Sequence, residues 1–74
     1  MSKLPVVSGR KCTKVLVKAG FYFKRQEGSH ITLRRDEPFV QVVVSDHKEL
    51  DRDTLRAIIR QAGLSVDEFT KLMR

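Results

Sequence analysis

The chain has 74 residues, 41% of them hydrophobic and 32% charged, and its 15 lysines and arginines against 9 acidic residues leave a formal net charge of +6. A chain this short buries only about 60% of the surface that its unfolded form exposes. It therefore builds one two-layer core, which excludes multidomain enzymes and folds around large cofactors. The positive charge favours polyanionic partners, and nucleic acids are the polyanions that a cytoplasmic protein meets most.

The cysteine content and the start of the chain predict a cytoplasmic protein. Cys12 is the one cysteine and cannot close an intrachain disulfide, whereas small secreted domains usually carry several bridges. Residues 1–9 lack the apolar run of a signal peptide, and no later stretch approaches the ~20 apolar residues of a membrane span. We expect a flexible N-terminal lead over residues 1–7 and a single domain over residues 8–74.

The first predicted helix follows Ser8, a residue type that commonly caps helix N-termini. The apolar residues after it recur at i, i+3, i+4 and i+7, the spacing of one helical face: Cys12, Val15, Leu16 and Ala19. Gly20 is the residue type favoured just past a helix end, so we expect the helix to stop there.

Three strands are predicted next, over residues 21–26, 30–34 and 39–44, because these segments are in turn aromatic-rich, alternating and β-branched. The connections at residues 27–29 and 35–38 are short enough for antiparallel hairpins. Side chains alternate along a strand, so Ile31 and Leu33 point to one face and their neighbours to the other: His30, Thr32 and Arg34. His30 is thus expected on the open face of the sheet or at its edge.

Two further helices complete the predicted order. Asp51 is a candidate cap for a helix whose apolar face holds Leu55, Ile58, Ile59 and Ala62. Ser65 and Glu68 have the spacing of a capping box, which predicts a short C-terminal helix. The fold class is α+β, in the order α-β-β-β-α with a three-stranded antiparallel sheet, both long helices on one face and a short helix at the end.

Basic residues form stripes on both long helices and extend onto the strands. Lys11, Lys14 and Lys18 share one side of the first helix, Arg52, Arg56 and Arg60 share one side of the second, and the strands add Lys24, Arg25, Arg34 and Arg35. A solvated face is the favoured explanation for either stripe alone. For the stripes taken together, phosphate binding is an equally good explanation. Both interpretations stay open on composition alone.

His30 is the first candidate for chemistry. It follows Gly28-Ser29, a turn that can bring backbone amides close to an anionic oxygen, and imidazole moves protons readily near neutral pH. The pattern fits a general base or acid, and it also fits an ordinary surface histidine. His47 lies before the second helix, where a structural polar contact is the favoured interpretation and a contribution to a shared site the alternative.

The other reactive residues have structural explanations. Cys12, His30 and His47 are too few and too scattered to form a closed zinc site, and Cys12 lies on the apolar face of the first helix. The acidic residues fall in a turn or at a helix start: Asp36, Glu37, Asp51 and Asp53. The chain has no phosphate-binding glycine loop and no nucleophile elbow, which sets aside nucleotide hydrolysis and serine-hydrolase chemistry.

Five segments of the chain resemble one known family: residues 4–9 (LPVVSG), 18–21 (KAGF), 25–30 (RQEGSH), 46–50 (DHKEL) and 54–65 (TLRAIIRQAGLS). In this order they look like HicA, also called the YcfA-like family, which comprises toxins of bacterial and archaeal toxin–antitoxin pairs. The combination of GSH with LRxIxRQAGL is far more specific than either piece. Ile31, Ser45 and Asp53 depart from residues frequent in the family, namely a second histidine, a proline and a glycine.

The resemblance implies a double-stranded-RNA-binding-domain-like fold and an mRNA interferase that needs neither a metal nor another cofactor. It implies that the histidine of the GSH motif, here His30, is essential for cleavage, and that a HicB-type antitoxin binds the toxin and blocks this site. Together with the charge pattern, the resemblance predicts these RNA-binding residues: Lys11, Lys14, Lys24, Arg25, Gly28, Ser29 and Arg34.

The mechanistic hypothesis is that His30 takes the proton of a ribose 2′-OH, which attacks the adjacent phosphate to give a 2′,3′-cyclic phosphate and a free 5′-OH. Lys24, Arg25 and Arg34 are candidates to offset the charge that develops on the phosphate, with the amides of the turn before His30 as further donors. Two alternatives remain, a non-catalytic RNA-binding module or adaptor and a DNA-binding regulator.

Overall fold

The computed structural model of the protein describes residues 4–74. The elements in chain order are α1 (Gly9–Lys18), β1 (Tyr22–Glu27), β2 (His30–Asp36), β3 (Phe39–Ser45), α2 (Arg52–Gln61) and α3 (Val66–Leu72). The strands form an antiparallel sheet in the order β1-β2-β3. The predicted α+β fold is confirmed, and it is consistent with the double-stranded-RNA-binding-domain-like architecture that the resemblance implies.

Local capping explains where each helix begins. The Ser8 hydroxyl accepts a 3.0 Å hydrogen bond from the backbone N–H of Lys11, and Asp51 accepts one of 3.1 Å from that of Thr54. Ser65 and Glu68 form a reciprocal capping box at the start of α3. These bonds satisfy N–H groups that have no partner within the helix, so the three predicted helix starts are confirmed.

Both long helices pack on one face of the sheet, where each contacts β3 and α1 also contacts β1. The sheet contributes alternate residues to the core: Ile31 and Leu33 from β2, and Val42 and Val44 from β3. Cys12 and Leu16 of α1, Leu55 and Ile59 of α2, and Phe69 of α3 cover them. Within residues 4–74, no helix covers the opposite face of the sheet, as the apolar pattern predicted.

The chain before α1 belongs partly to this core. Leu4 and Val7 are buried with the core residues, and the Leu50 N–H donates a 2.9 Å hydrogen bond to the Val7 carbonyl. The sequence prediction separated residues 1–7 from the domain, whereas Leu4 and Val7 of that segment gain burial in the core. Residues 1–3 of the predicted lead lie outside the described residues.

Cys12 is fully buried in α1, as predicted, and burial raises the pKa of its thiol to about 12. The unfolded thiol ionises above about pH 8.5, so the unfolded state holds fewer protons than the folded state at high pH. We therefore expect Cys12 to contribute a loss of stability of about 1.4 kcal/mol per pH unit between about pH 9 and 12.

Denaturant unfolding of the wild type and of Cys12→Ala at about pH 8 and about pH 10 measures this contribution. All other ionisable groups are the same in both proteins, so the difference between the two pH dependences isolates the thiol. The wild type should lose more stability than the variant over this interval. Equal slopes would show that Cys12 is not shielded from water.

Candidate functional site

His30 lies at the first position of β2, at one end of the sheet, and its side chain is exposed. It pairs with Glu27 of β1 on one side and with Ser45 of β3 on the other. Residues directly opposite each other in an antiparallel pair project to the same face. His30 is therefore flanked by a carboxylate and a hydroxyl on the face of the sheet that carries no helix.

The turn before His30 is a two-residue hairpin loop formed by Gly28 and Ser29. Gly28 has φ +58° and no atom lies within 4 Å of the place where its side chain would begin, so the backbone conformation, not space, requires glycine. A positive φ at the first loop position and not at the second is typical of a type II′ turn. Among residues 4–74, neither turn amide donates a backbone hydrogen bond.

The end of β3 and the start of α1 close around this turn. The Asp46 N–H donates a 2.6 Å hydrogen bond to the Ser29 carbonyl, and the Gly9 N–H donates one of 2.9 Å to the His47 carbonyl. A Cβ at Gly9 would overlap the carbonyl oxygen of Ser45. Only glycine lets α1 approach the strand end this closely, and the sequence analysis did not single it out.

Asp46 ties three segments together through its side chain. Its carboxylate accepts a 3.2 Å hydrogen bond from Nε of Arg10 and one of 3.3 Å from Nε2 of Gln26. The hydrogen bond from Arg10 is the main reason that the pKa of Asp46 is lowered. Arg10 and Asp46 are 36 positions apart, so the sequence carried no local signal of this pair.

A shallow cleft of about 320 Å³ opens beside these contacts and is lined by Ser8, Arg10, Asp46, His47 and Lys48. His47 is exposed here, and it follows the residue whose backbone bonds to the turn before His30. The structure therefore brings His47 to the same end of the molecule as His30. The cleft is thus lined by the basic residues Arg10, His47 and Lys48 and by one carboxylate.

The structure places the predicted basic residues of the strands in different surroundings. Arg25 projects from the same face as His30, and its Nε donates a 3.2 Å hydrogen bond to Glu27. Lys24 lies at an irregularity in the pairing of β1 with β2 and is exposed. Arg34 lies on the face of His30 but four positions further along β2, about 13 Å at ~3.3 Å per residue.

Arg35 points the other way. Its guanidinium carbon is 4.9 Å from the centre of the buried Phe21 ring, on the helix-covered face, and its Nε is buried without a partner among the described residues. The positive charge of Arg35 is therefore part of the packing between the sheet and the helix ends. It does not add to the basic surface around His30.

The basic residues of the helices are exposed, and one of them, Lys18, has a structural role. Lys11 and Lys14 are exposed on α1 and form no ion pair within the described chain, as is also true of Arg52, Arg56 and Arg60 on α2. Lys18 instead donates to the carbonyls of Leu72 and Arg74, at 3.2 and 3.1 Å, and so ties α1 to the C-terminal end of α3.

Within residues 4–74, no three histidine, cysteine or acidic side chains lie close enough together to hold a metal ion. In the same part of the chain, no helix has the length and apolar character needed to cross a membrane.

Residues 9–64 match the sequence profile described as "HicA toxin of bacterial toxin-antitoxin". The chain belongs to the HicA toxin family. The match includes α1, the whole sheet, α2, the turn before His30 and the cleft at Arg10 and His47. No curated protein matches the chain. This HicA chain is thus the toxin of a toxin–antitoxin pair, and an antitoxin is its partner.

Proposed function

We propose that this HicA toxin is a metal-independent endoribonuclease that cleaves mRNA, arrests translation and growth, and is neutralised by a HicB-type antitoxin in the cytoplasm. The observation that carries the proposal is the position of His30. It is an exposed imidazole at the end of an uncovered sheet face, next to turn amides with no backbone acceptor and beside exposed basic residues.

His30 acts as the general base. Its imidazole takes the proton of a ribose 2′-OH, the 2′ oxygen forms a bond to the adjacent phosphorus, and the bond from phosphorus to the 5′ oxygen of the next nucleotide breaks. The products are a 2′,3′-cyclic phosphate and a 5′-OH, and the leaving oxygen takes up one proton. His47 is the candidate general acid for that proton, because it lies at the same end of the sheet.

Lys24, Arg25 and the amides of Gly28 and Ser29 offset the negative charge that develops on the phosphate. Arg25 is held by Glu27 at 3.2 Å in an exposed pair, and an exposed pair of this kind exchanges readily for a phosphate because its net free energy is small. Arg34, about 13 Å along β2 from His30 at ~3.3 Å per residue, binds RNA away from the cleaved bond. Lys11 and Lys14 bind further phosphates through α1.

Cleavage by this route depends on the 2′-OH, which provides a direct test. We expect the purified toxin to cleave a single-stranded RNA in the presence of EDTA and to leave intact the same strand with a single 2′-deoxy nucleotide at the cleaved position. Analysis of the fragments should find 2′,3′-cyclic phosphate and 5′-OH ends. Cleavage of the deoxy strand, or loss of cleavage in EDTA, would contradict the mechanism.

The antitoxin acts by covering His30. An antitoxin that occludes the site must compete with RNA, so added HicB-type protein should reduce RNA binding and cleavage in parallel as it approaches equimolar amounts. RNA binding that persists in the complex while cleavage stops would indicate inhibition from a distance. A single positioned base supplies about 10²–10⁴-fold, so the toxin is expected to be a slow nuclease whose few cuts in essential messages still arrest growth.

A further inference from the structure

The uncovered face of the sheet continues well beyond His30, and the strand register defines which residues form it. Four rows cross it: Glu27, His30 and Ser45; then Arg25, Thr32 and Val43; then Tyr22, Arg34 and Gln41; and finally Asp36 and Phe39. We call these residues the open face. His30 lies at one end of it and Phe39 at the other.

Aromatic and other apolar side chains are exposed on this face, and exposed apolar surface bordered by polar residues is typical of binding sites. Phe39 is 63% exposed and Tyr22 40%, while the smaller Val43 lies between them and the His30 row. Thr32, in the middle strand, is buried by its neighbours on both sides. The open face therefore has a buried residue in its middle strand and aromatic rings near one end.

Arg34 is fixed among these rings and keeps an unneutralised charge. Its Nε and Nη2 both donate to the Oε1 of Gln41, at 3.3 and 2.9 Å, and its guanidinium lies 5.4 Å from the centre of the Phe39 ring. Gln41 is neutral, and the nearby carboxylate of Asp36 accepts a 3.0 Å hydrogen bond from the Tyr22 hydroxyl. Among the described residues, the cation is thus positioned by an amide and a ring, without a salt bridge.

We propose that the open face is a binding track for single-stranded RNA, on which bases flanking the cleaved bond stack on Phe39 and Tyr22 while Arg34 contacts a phosphate between them. The inference rests on the proposed function, because it takes His30 as the point of cleavage. Aromatic rings interleaved with cations are the features that bind single strands without strict sequence preference.

Two properties favour a single strand over a duplex or a protein. In an A-form duplex the bases are stacked on each other and cannot lie on an aromatic ring, whereas an unpaired strand exposes them. An apolar protein surface on the Phe39 end of the open face would have to remove the charge of Arg34 from water, whereas a phosphate neutralises that charge. The distance from His30 to Arg34, about 13 Å at ~3.3 Å per residue, corresponds to a few nucleotides of chain.

The test compares two exposed phenylalanines on the two edge strands of the sheet. Phe39 lies on the open face, whereas Phe23, 55% exposed, pairs with Leu33 and so projects to the opposite face. Both substitutions to alanine are introduced into His30→Ala protein, which binds RNA without cutting it. Fluorescence anisotropy then measures affinity for a short unstructured RNA strand and for a duplex of the same length.

We expect Phe39→Ala to weaken single-strand binding about five- to hundredfold, the range typical for loss of one base–aromatic stack. Phe23→Ala should stay within about twofold, and duplex affinity should be the same for both proteins, since neither base stack exists there. Arg34→Gln should reduce the slope of log affinity against log salt by about one phosphate contact.

Equal affinities of the Phe39 and Phe23 variants for the single strand would overturn the proposal, as would an absence of single-strand binding in the parent protein. A Phe39→Ala variant that keeps RNA affinity and loses antitoxin affinity would make the open face a protein interface. Cleavage is assayed separately with His30 intact. If RNA binding depends on Phe39 but the protein with His30 intact never cuts the RNA, the nuclease is refuted and single-strand binding by the open face stands. If that protein cuts RNA equally well with and without Phe39→Ala, only the proposed binding track is refuted.

Discussion

His30→Ala is expected to reduce RNA cleavage by at least about 10²–10⁴-fold, because it removes the only side chain assigned as the base. The same change should leave the fold and the affinity for RNA nearly intact. His30 is exposed, and within the described residues its side chain makes no hydrogen bond or ion pair that its removal would break. The measurement is a single-turnover gel assay in EDTA, with circular dichroism and RNA anisotropy on the same samples.

His47→Ala is the matched control for this result. Both histidines are exposed at the same end of the molecule, but only His30 follows the hairpin turn. If His47 is the general acid, its loss should slow cleavage less than the loss of His30, and a substrate with a better leaving group should restore the rate. If both variants cut like the wild type, neither histidine is needed for cleavage. If His30→Ala still inhibits growth and binds RNA while neither it nor the wild type cuts RNA, the chain acts as a non-catalytic RNA-binding module.

Gly9→Ala is expected to cost about 2–3 kcal/mol of folding stability, at the upper end of the effect of overpacking. The added methyl would overlap the Ser45 carbonyl oxygen, which is backbone held in β3 and cannot move as a side chain would. For a domain of this size each kcal/mol corresponds to about 4–8 °C in Tm, so thermal unfolding should show a fall of at least about 8 °C.

The helix preference of alanine sharpens this prediction. Alanine is a better helix former than glycine, so helix propensity does not account for a loss of stability at Gly9, the first residue of α1. Lys14→Ala, on an exposed position of the same helix, is the control and should stay near the wild type. A Gly9→Ala protein as stable as the wild type would show that α1 does not approach β3 at this point.

The Gly9 variant should also be a poorer enzyme at temperatures where it is still folded. The overlap pushes the start of α1 away from the segment at Ser45 and His47, and that segment bonds to the turn before His30 through Asp46. Cleavage per folded molecule is therefore expected to fall together with stability, whereas Lys14→Ala should at most weaken RNA binding.

The sequence by itself determined the elements and the surface position of His30, because these depend on neighbours a few positions apart. The caps at Ser8, Asp51 and Ser65 bond to amides three residues on, and the apolar periods define which side of each helix is buried. The alternation along β2 placed Ile31 and Leu33 in the core and left His30 exposed on the opposite face.

Only the tertiary structure decided what surrounds His30 and where the basic residues lie. The pairing of Glu27 and Ser45 with His30 depends on strand register, and Arg10 meets Asp46 across 36 positions. Arg34 and Arg35 are adjacent residues of the same type, yet Arg35 packs on Phe21 on the helix-covered side while Arg34 lies on the open face. Leu4 and Val7 joined the core for the same reason: burial and register arise from contacts between distant segments, which periodicity within one segment does not specify.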